Sequence, residues 1–252
     1  MKITFLGTGT STGVPVIGCH CRVCTSEDPR NRRLRPSILL EWDGRKILVD
    51  SSSDFRQQAL HHRIDRLDAV LYTHSHADHV MGLDDLRIYN FRQRAHLPVY
   101  GSPGTLEDIR RTFWYVFTET QEGGGKPRLD LLPVDSPFDL FGVRIEPVPL
   151  SHGTMQVLGY RIGRFAYCTD CNRIPEPSMQ ALASLDVLVL DALRPTPHPT
   201  HFSLPETLSV LDLLRPRRAY LIHMGHDLEH AETERTLPAS VKLAYDGLVL
   251  EI

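Results

Sequence analysis

No apolar run in this sequence approaches the ~20 residues needed to span a bilayer. Its opening residues, Met1-Lys2-Ile3-Thr4-Phe5-Leu6-Gly7, lack the apolar core and cleavage pattern of a signal peptide and read instead as a strand. There is no net basic field: the formal charge is −3, which argues against nucleic acid as a partner. No fixed-period repeat, low-complexity tract or clear linker interrupts the chain. The cysteines number five, so they cannot all pair, and three of them (Cys19, Cys21, Cys24) fall within six residues. That pattern excludes a disulfide framework and points to a reducing compartment with metal-bound thiolates. The expectation is a cytoplasmic protein with no membrane contact. At 252 residues and 41% hydrophobic content, one large α/β domain over 1–252 can bury a real core.

What is abundant is histidine, with thirteen residues, many of them clustered. Periodicity and turn residues predict strands at 2–6, 37–42 and 45–50, the last two joined at Asp43-Gly44. A helix over 54–62 and a strand at 69–72 follow. Helices over 83–94 and 105–117 flank a strand at 97–100, and an exposed loop is expected over 121–127. A second strand-rich block is predicted at 129–133, 143–148, 157–162 and 165–168. After it come a helix over 175–184, a strand at 186–190, a helix over 205–214 and a strand at 219–222. A closing hairpin of 241–244 with 248–251 turns at Asp246-Gly247. Strands first and helices after, in both halves, predict a four-layer αββα sandwich.

The densest chemistry is His74-Ser75-His76-Ala77-Asp78-His79, directly after a buried strand. Imidazole suits zinc, and carboxylate widens the choice to manganese or iron. His74 and His76, two apart on extended backbone, face the same way. Asp78 and His79 lie one turn on, at a helix start. The segment can therefore serve two ions, His74 with His76 and Asp78 with His79, but four ligands are too few for two. His152, Asp170 and His223 each stand just after an apolar strand, where rigid scaffold meets loop, and supply the candidates. The cysteine loop, at about 17–35, offers three thiolates to one tetrahedral zinc. His20 sits between two cysteines and would point away, so His226 is the preferred fourth ligand. A closed Cys3His site has no open position, so its role would be structural.

These residues resemble the metallo-β-lactamase superfamily over nearly the whole chain. The resemblance implies that His74, His76 and His152 bind one ion, that Asp78, His79 and His223 bind the other, and that Asp170 bridges them, with Asp50 as a supporting aspartate. Gly9-Thr10-Ser11-Thr12-Gly13-Val14-Pro15, the cysteine loop and His223-Met224-Gly225-His226 narrow it to phosphodiesterases of the PhnP type. What this implies is hydrolysis of a cyclic phosphodiester, either phosphoribosyl 1,2-cyclic phosphate or a 2′,3′-cyclic nucleotide, by a hydroxide activated on two divalent metals (zinc or manganese), beside one structural zinc. Asp78 and His201 are its catalytic candidates, His201 as proton donor to the leaving group, with His198 as a weaker alternative.

The remaining motifs read more plainly. Cys168 and Cys171 flank Asp170 in a Cys-x-x-Cys spacing, but without thioredoxin-like surroundings they are expected to be buried, inert thiols. The glycine-rich segment 7–13 lacks the Gly-Lys-Ser/Thr of a P-loop and reads as a loop allowing close approach to the metals. The basic run Arg30-Asn31-Arg32-Arg33-Leu34-Arg35 reads as a solvated face, with a substrate phosphate contact as the alternative. Residues 87–94 with Phe113-Trp114-Tyr115 could form a lid, a packed surface or a homodimer contact. Competing functions are a thioester or lactone hydrolase of the same fold and a non-catalytic metal-binding protein of cofactor biosynthesis. A tRNA-processing nuclease would need an RNA-binding arm and a basic face, and neither is evident.

Overall fold

The computed structural model describes residues 1–119 and 125–252. Of the loop expected over 121–127, residues 121–124 lie outside the described residues. Among the described residues no helix is long and apolar enough to cross a membrane. The chain divides into two compact units, Met1–Leu6 with Ser37–Asp135 and Gly247–Ile252, and Gly7–Pro36 with Ser136–Asp246.

The first unit is built on a seven-stranded sheet of β1 (Lys2–Gly7), β2 (Ser37–Trp42), β3 (Arg45–Val49), β4 (Ala69–Leu71), β5 (Leu97–Gly101), β6 (Leu129–Pro133) and β14 (Val249–Glu251), in the order β14-β1-β2-β3-β4-β5-β6. β3 to β6 run parallel, and the Ala69-Val70-Leu71 strand is buried throughout. A continuous apolar run is what a parallel strand covered on both faces requires. Helices α1 (Phe55–His61), α2 (Ala77–Val80), α3 (Arg87–Gln93), α4 (Pro103–Thr112) and α5 (Trp114–Phe117) complete the unit. Leu48, Val70, Leu97 and Val99 from the sheet share a core with Phe55, Leu86 and Ile109.

The second unit repeats the plan with β7 (Phe138–Leu140), β8 (Val143–His152), β9 (Met155–Ile162), β10 (Phe165–Cys168), β11 (Val187–Asp191), β12 (Arg218–Ile222) and β13 (Val241–Leu243), hydrogen-bonded in the order β13-β12-β11-β10-β9-β8-β7. β7 to β10 pair antiparallel and β10 to β13 parallel. Helices α6 (Glu176–Ala181), α7 (Leu204–Leu214) and α8 (His230–Glu234) flank it. α7 starts at a capping box in which Ser203 and Glu206 satisfy each other's backbone donors.

Several sequence expectations change. Residues 129–133 do not open the second block. They form β6, the edge strand of the first sheet, with the alternating exposure of an edge rather than an apolar run. Residues 241–244 and 248–251 do not form a hairpin with each other. β13 runs parallel to β12, whereas β14 pairs antiparallel with β1. The turn between them is diverted by side-chain and backbone bonds. Asp246 Oδ1 accepts from the Thr8 hydroxyl and Oδ2 from the Leu34 N–H, both at 2.7 Å, while Gly247 N–H donates to the Phe5 carbonyl. The helix expected over 105–117 breaks at Phe113, whose backbone (φ −108°, ψ 40°) separates α4 from α5. That over 83–94 opens as a 3-10 turn at Leu83–Leu86.

Asp246 gives a pH prediction. Burial raises its carboxyl from 3.8 to about 7, against the pull of its hydrogen bonds. The unfolded chain releases this proton near 4 and the folded chain near 7, so the unfolded state binds fewer protons across that window. Stability from this group is therefore greatest at low pH and falls as pH rises from about 4 to about 7. Asp246→Asn, which keeps the shape without the charge, should gain about 2 kcal/mol relative to the parent on going from pH 5.5 to pH 8. Urea denaturation at the two pH values reads this directly, and an equal difference at both would contradict it.

Candidate metal centre and its surroundings

In both units the polar residues of interest stand at the carboxyl ends of strands, where open α/β sheets place their ligand sites. Asp50 follows β3, His74 follows β4, Asp170 follows β10, Asp191 ends β11 and His223 follows β12. Asp50, Asp170 and His223 also adopt left-handed backbone, at φ 61°, 51° and 62°. Non-glycine residues held there store strain that clusters at functional sites.

Within the first unit, His74, His76, Asp78 and His79 come together as the motif spacing predicts. His74 Nε2 lies 3.1 Å from His76 Nδ1, and His79 Nε2 lies 3.4 Å from Asp78 Oδ2. Two ligand atoms about 2.0–2.1 Å from one tetrahedral ion are separated by about 3.3 Å, so both pairs fit. The Nδ1 atoms of His74 and His79 are committed elsewhere. Asp50, wholly buried, accepts from the Thr73 N–H and the Thr73 hydroxyl at 2.8 Å and from His79 Nδ1 at 2.7 Å. With its proton given to Asp50, the Thr73 oxygen accepts from His74 Nδ1 at 3.0 Å. Burial pushes the Asp50 carboxyl up, and His79 and Thr73 pull it back. Ser75, between the two histidines, donates to Asp108 of α4 at 2.7 Å, which turns it away from them. Asp50, which the resemblance implied as a supporting residue, thus bonds Thr73 and His79.

Within the second unit, His223 Nε2 lies 3.1 Å from Asp170 Oδ2, and the Thr169 hydroxyl donates to Asp170 Oδ1 at 2.6 Å. His152 Nδ1 donates to the Thr200 carbonyl at 2.7 Å. His152, Asp170 and His201 offer ligand atoms within 4.8 Å of one another. His201 Nδ1 donates to Asp191 Oδ2 at 2.8 Å, and its ring stacks on His223 with centroids 4.6 Å apart. His198 lies against His201 at 5.3 Å, its Nδ1 turned to the Thr200 N–H at 3.3 Å. Asp191 is the residue that sequence reasoning missed. Its carboxylate is fully buried and also accepts from the Cys171 N–H at 2.9 Å. The signal was present, an aspartate closing the apolar run Val187-Leu188-Val189-Leu190 just as Asp50 closes its own, but the predicted strand stopped one residue short. Cys168 and Cys171 are buried as expected, and burial pushes the Cys168 thiol to about 12, so it is not a ready nucleophile.

The cysteine cluster also lies within the second unit. His226 Nδ1 stands 3.3 Å from Cys19 Sγ and 3.5 Å from the sulfurs of Cys21 and Cys24. Zn–S of about 2.3 Å and Zn–N of about 2.0 Å set a tetrahedral N···S edge of about 3.5 Å. The four side chains therefore fit one zinc with no open position. Backbone amides support the thiolates: the Cys24 N–H points to Cys21 Sγ and the Val16 N–H to Cys24 Sγ.

Comparison with known proteins shows what the chain is similar to. Residues 45–224 match a beta-lactamase superfamily domain. A solved structure described as a new diphosphatase from the PhnP family is 45% identical, with a TM-score of 0.93, covering 99% of this chain and 96% of that one. An octanoyltransferase of Porphyromonas gingivalis is 42% identical over 253 residues, which is 98% of this chain but 51% of that protein, so the chain spans about half of that relative's length. A coenzyme PQQ synthesis protein B of Methylobacterium radiotolerans is 28% identical over 76% of this chain and 72% of its own.

Proposed function

The chain belongs to the beta-lactamase superfamily, with that superfamily's α/β fold of two mixed sheets flanked by helices, and from that premise we propose that it is a metal-dependent phosphodiesterase acting on a small cyclic phosphodiester. One observation carries this reading. In each unit, donors of the proposed centre are held by hydrogen-bond partners, His79 and His74 by Asp50 and Thr73 in one, and His152 and Asp170 by Thr200 and Thr169 in the other. Metal-ligating histidines need such partners to fix tautomer and orientation. In this proposal His74, His76 and His152 would hold one divalent ion, Asp78, His79 and His223 would hold a second, and Asp170 would serve both. Zinc and manganese both suit this donor set. When bound, such ions polarise phosphoryl oxygens and lower the pKa of a shared water toward ~7.

The remaining chemistry belongs to the chain. Asp78 and Asp170 orient the attacking water opposite the leaving oxygen. His201 would give an Nε2 proton to that oxygen while its Nδ1–H stays on Asp191. The buried Asp191 carboxylate, accepting from Nδ1 at 2.8 Å, orients the ring for that transfer. His201→Ala should therefore cost ~10²–10⁴-fold on a cyclic nucleotide with its alkoxide leaving group. It should cost far less on bis-p-nitrophenyl phosphate, whose leaving group needs no proton. Asp191→Asn should follow the same pattern at ~10–100-fold. Equal losses on the two substrates would remove His201 from the proton-donor role.

The 45% identical neighbour's description as a diphosphatase favours one further substrate class, a diphosphate diester, whose reacting phosphorus carries the same pair of non-bridging oxygens. The test is a panel with Zn²⁺ or Mn²⁺ added: phosphoribosyl 1,2-cyclic phosphate, 2′,3′-cyclic AMP, a dinucleotide diphosphate, S-lactoylglutathione and a lactone. Turnover of the phosphorus esters is expected, and turnover confined to the thioester or the lactone would overturn the reading.

A further inference from the structure

Arg33 is among the largest fully buried side chains, 1% exposed, and the sequence reading of a solvated basic run does not hold for it. Its neighbours are tied down differently: Arg30 pairs with Asp28 at 2.7 Å and Arg35 Nε donates to the Ser11 carbonyl at 3.0 Å. Burying a guanidinium is costly unless its donors are used. Arg33 spends two of them on main-chain carbonyls, Nη1 to Gly225 at 2.8 Å and Nη2 to Leu228 at 2.6 Å. Asn31 adds to the same grip. Its Oδ1 accepts from the His230 N–H at 2.8 Å, and its Nδ2 donates to Glu229 at 2.7 Å. Residues 31–33 thus hold the segment 225–230, and His226 sits between the two carbonyls that Arg33 takes.

Backbone bonds also hold Met224 and Gly225. Met224 N–H donates to the Thr8 carbonyl and its own carbonyl accepts from Thr10 N–H, while Gly225 N–H donates to the Leu193 carbonyl. The Gly225 carbonyl is left for Arg33. Two glycines make room for this arrangement. A Cβ at Gly9 would stand 2.8 Å from the Arg33 Cβ and carbonyl oxygen, and one at Gly225 would stand 3.2 Å from the Leu193 oxygen. The close approach allowed by the glycine-rich loop is therefore to the Arg33 backbone. Burial lowers the Arg33 pKa to about 10, so it carries its charge at neutral pH.

We propose that Arg33 is a positioning residue that sets the His223-Met224-Gly225-His226 segment, so that His223 is presented to the catalytic metals and His226 to the thiolates of Cys19, Cys21 and Cys24. This rests on the metal assignments proposed above. Its consequence is that the two metal sites are coupled through one guanidinium. Lysine cannot replace it, because a single ammonium lacks the planar fork that reaches two carbonyls at once.

The test uses the whole chain as Arg33→Lys, Arg33→Met, Cys21→Ser and the double variant Arg33→Met/Cys21→Ser. Zinc affinity of the thiolate site is measured by competition with a chelator, and its geometry by the thiolate-to-metal absorption of the cobalt-substituted protein. Arg33→Met should weaken zinc at that site ~10–100-fold and alter the cobalt band. Arg33→Lys should do the same to a smaller degree, and it keeps the test open should Arg33→Met not fold. Turnover of bis-p-nitrophenyl phosphate should fall ~10-fold in each single variant, with the double no worse than the poorer single, as shared-network residues behave. Unchanged zinc affinity and cobalt band in both Arg33 variants, or losses that multiply in the double, would overturn the proposal. The zinc and cobalt readouts do not depend on turnover. A chain that hydrolyses no phosphodiester but shows the altered cobalt band would sink the proposed function and support the role of Arg33.

Discussion

Asp170→Ala is expected to lower kcat/KM on any phosphodiester substrate by at least ~10³-fold and to release about two metal ions per chain. Asp170 is the residue on which the proposed centre converges. Its carboxylate is buried, stands 3.1 Å from His223 Nε2 and is fixed by the Thr169 hydroxyl at 2.6 Å. A shared carboxylate offsets the charge of two cations, and two metals contribute several kcal/mol of transition-state stabilisation, at ~1.4 kcal/mol per factor of ten. Asp170→Asn separates charge from shape. The amide preserves the volume, the Thr169 contact and the left-handed backbone at φ 51°. It should lose nearly as much activity while keeping the parent's thermal stability after metal removal. Substantial turnover in either variant, measured with metal in excess, would refute a bridging role.

The second large effect concerns the thiolate cluster. Cys21→Ser should lose about one zinc per chain, since hydroxyl oxygen is a far poorer zinc ligand than thiolate. Binding to the folded chain alone stabilises it by RT ln(1 + [L]/Kd), about 4 kcal/mol at a thousandfold excess over Kd. For a chain of this size the loss should lower Tm by on the order of 10 °C. The sulfurs of Cys19, Cys21 and Cys24 lie within 3.3–3.5 Å of His226 Nδ1, so the cluster closes only with all four. Chelation strips the histidine-bound ions from both proteins, so it should lower the Tm of each, but by on the order of 10 °C more in the parent than in Cys21→Ser. Unchanged zinc content in Cys21→Ser would leave the three cysteines as ordinary reduced thiols.

Much of the candidate site was legible because its chemistry sits where hydrophobic patterning stops. His74, His152, Asp170 and His223 each interrupt or follow an apolar strand, and periodicity alone locates that boundary. Asp191 obeys the same rule and was missed only because a strand end was placed one residue early, where boundaries are weakest. What was not legible is pairing between segments distant in sequence. Residues 129–133 and 248–251 read correctly as strands, yet their partners, β5 and β1, are chosen by register and by the Gly247 to Phe5 bond. Arg33 shows the same limit. Its run of neighbouring arginines suggests solvent, and only the carbonyls of Gly225 and Leu228, almost two hundred residues away, explain its burial.

The proposed function turns on seven side chains, which would hold one pair of metals. A crystal structure of the metal-loaded chain with anomalous diffraction at the zinc edge tests it most directly. Two peaks about 3.5–4 Å apart are expected. Each should lie about 2.0–2.2 Å from its ligands, His74, His76 and His152 around one and Asp78, His79 and His223 around the other, with Asp170 touching both. A further peak should lie among Cys19, Cys21, Cys24 and His226. A lone peak in the histidine cluster, or a pair that Asp170 does not join, would contradict it.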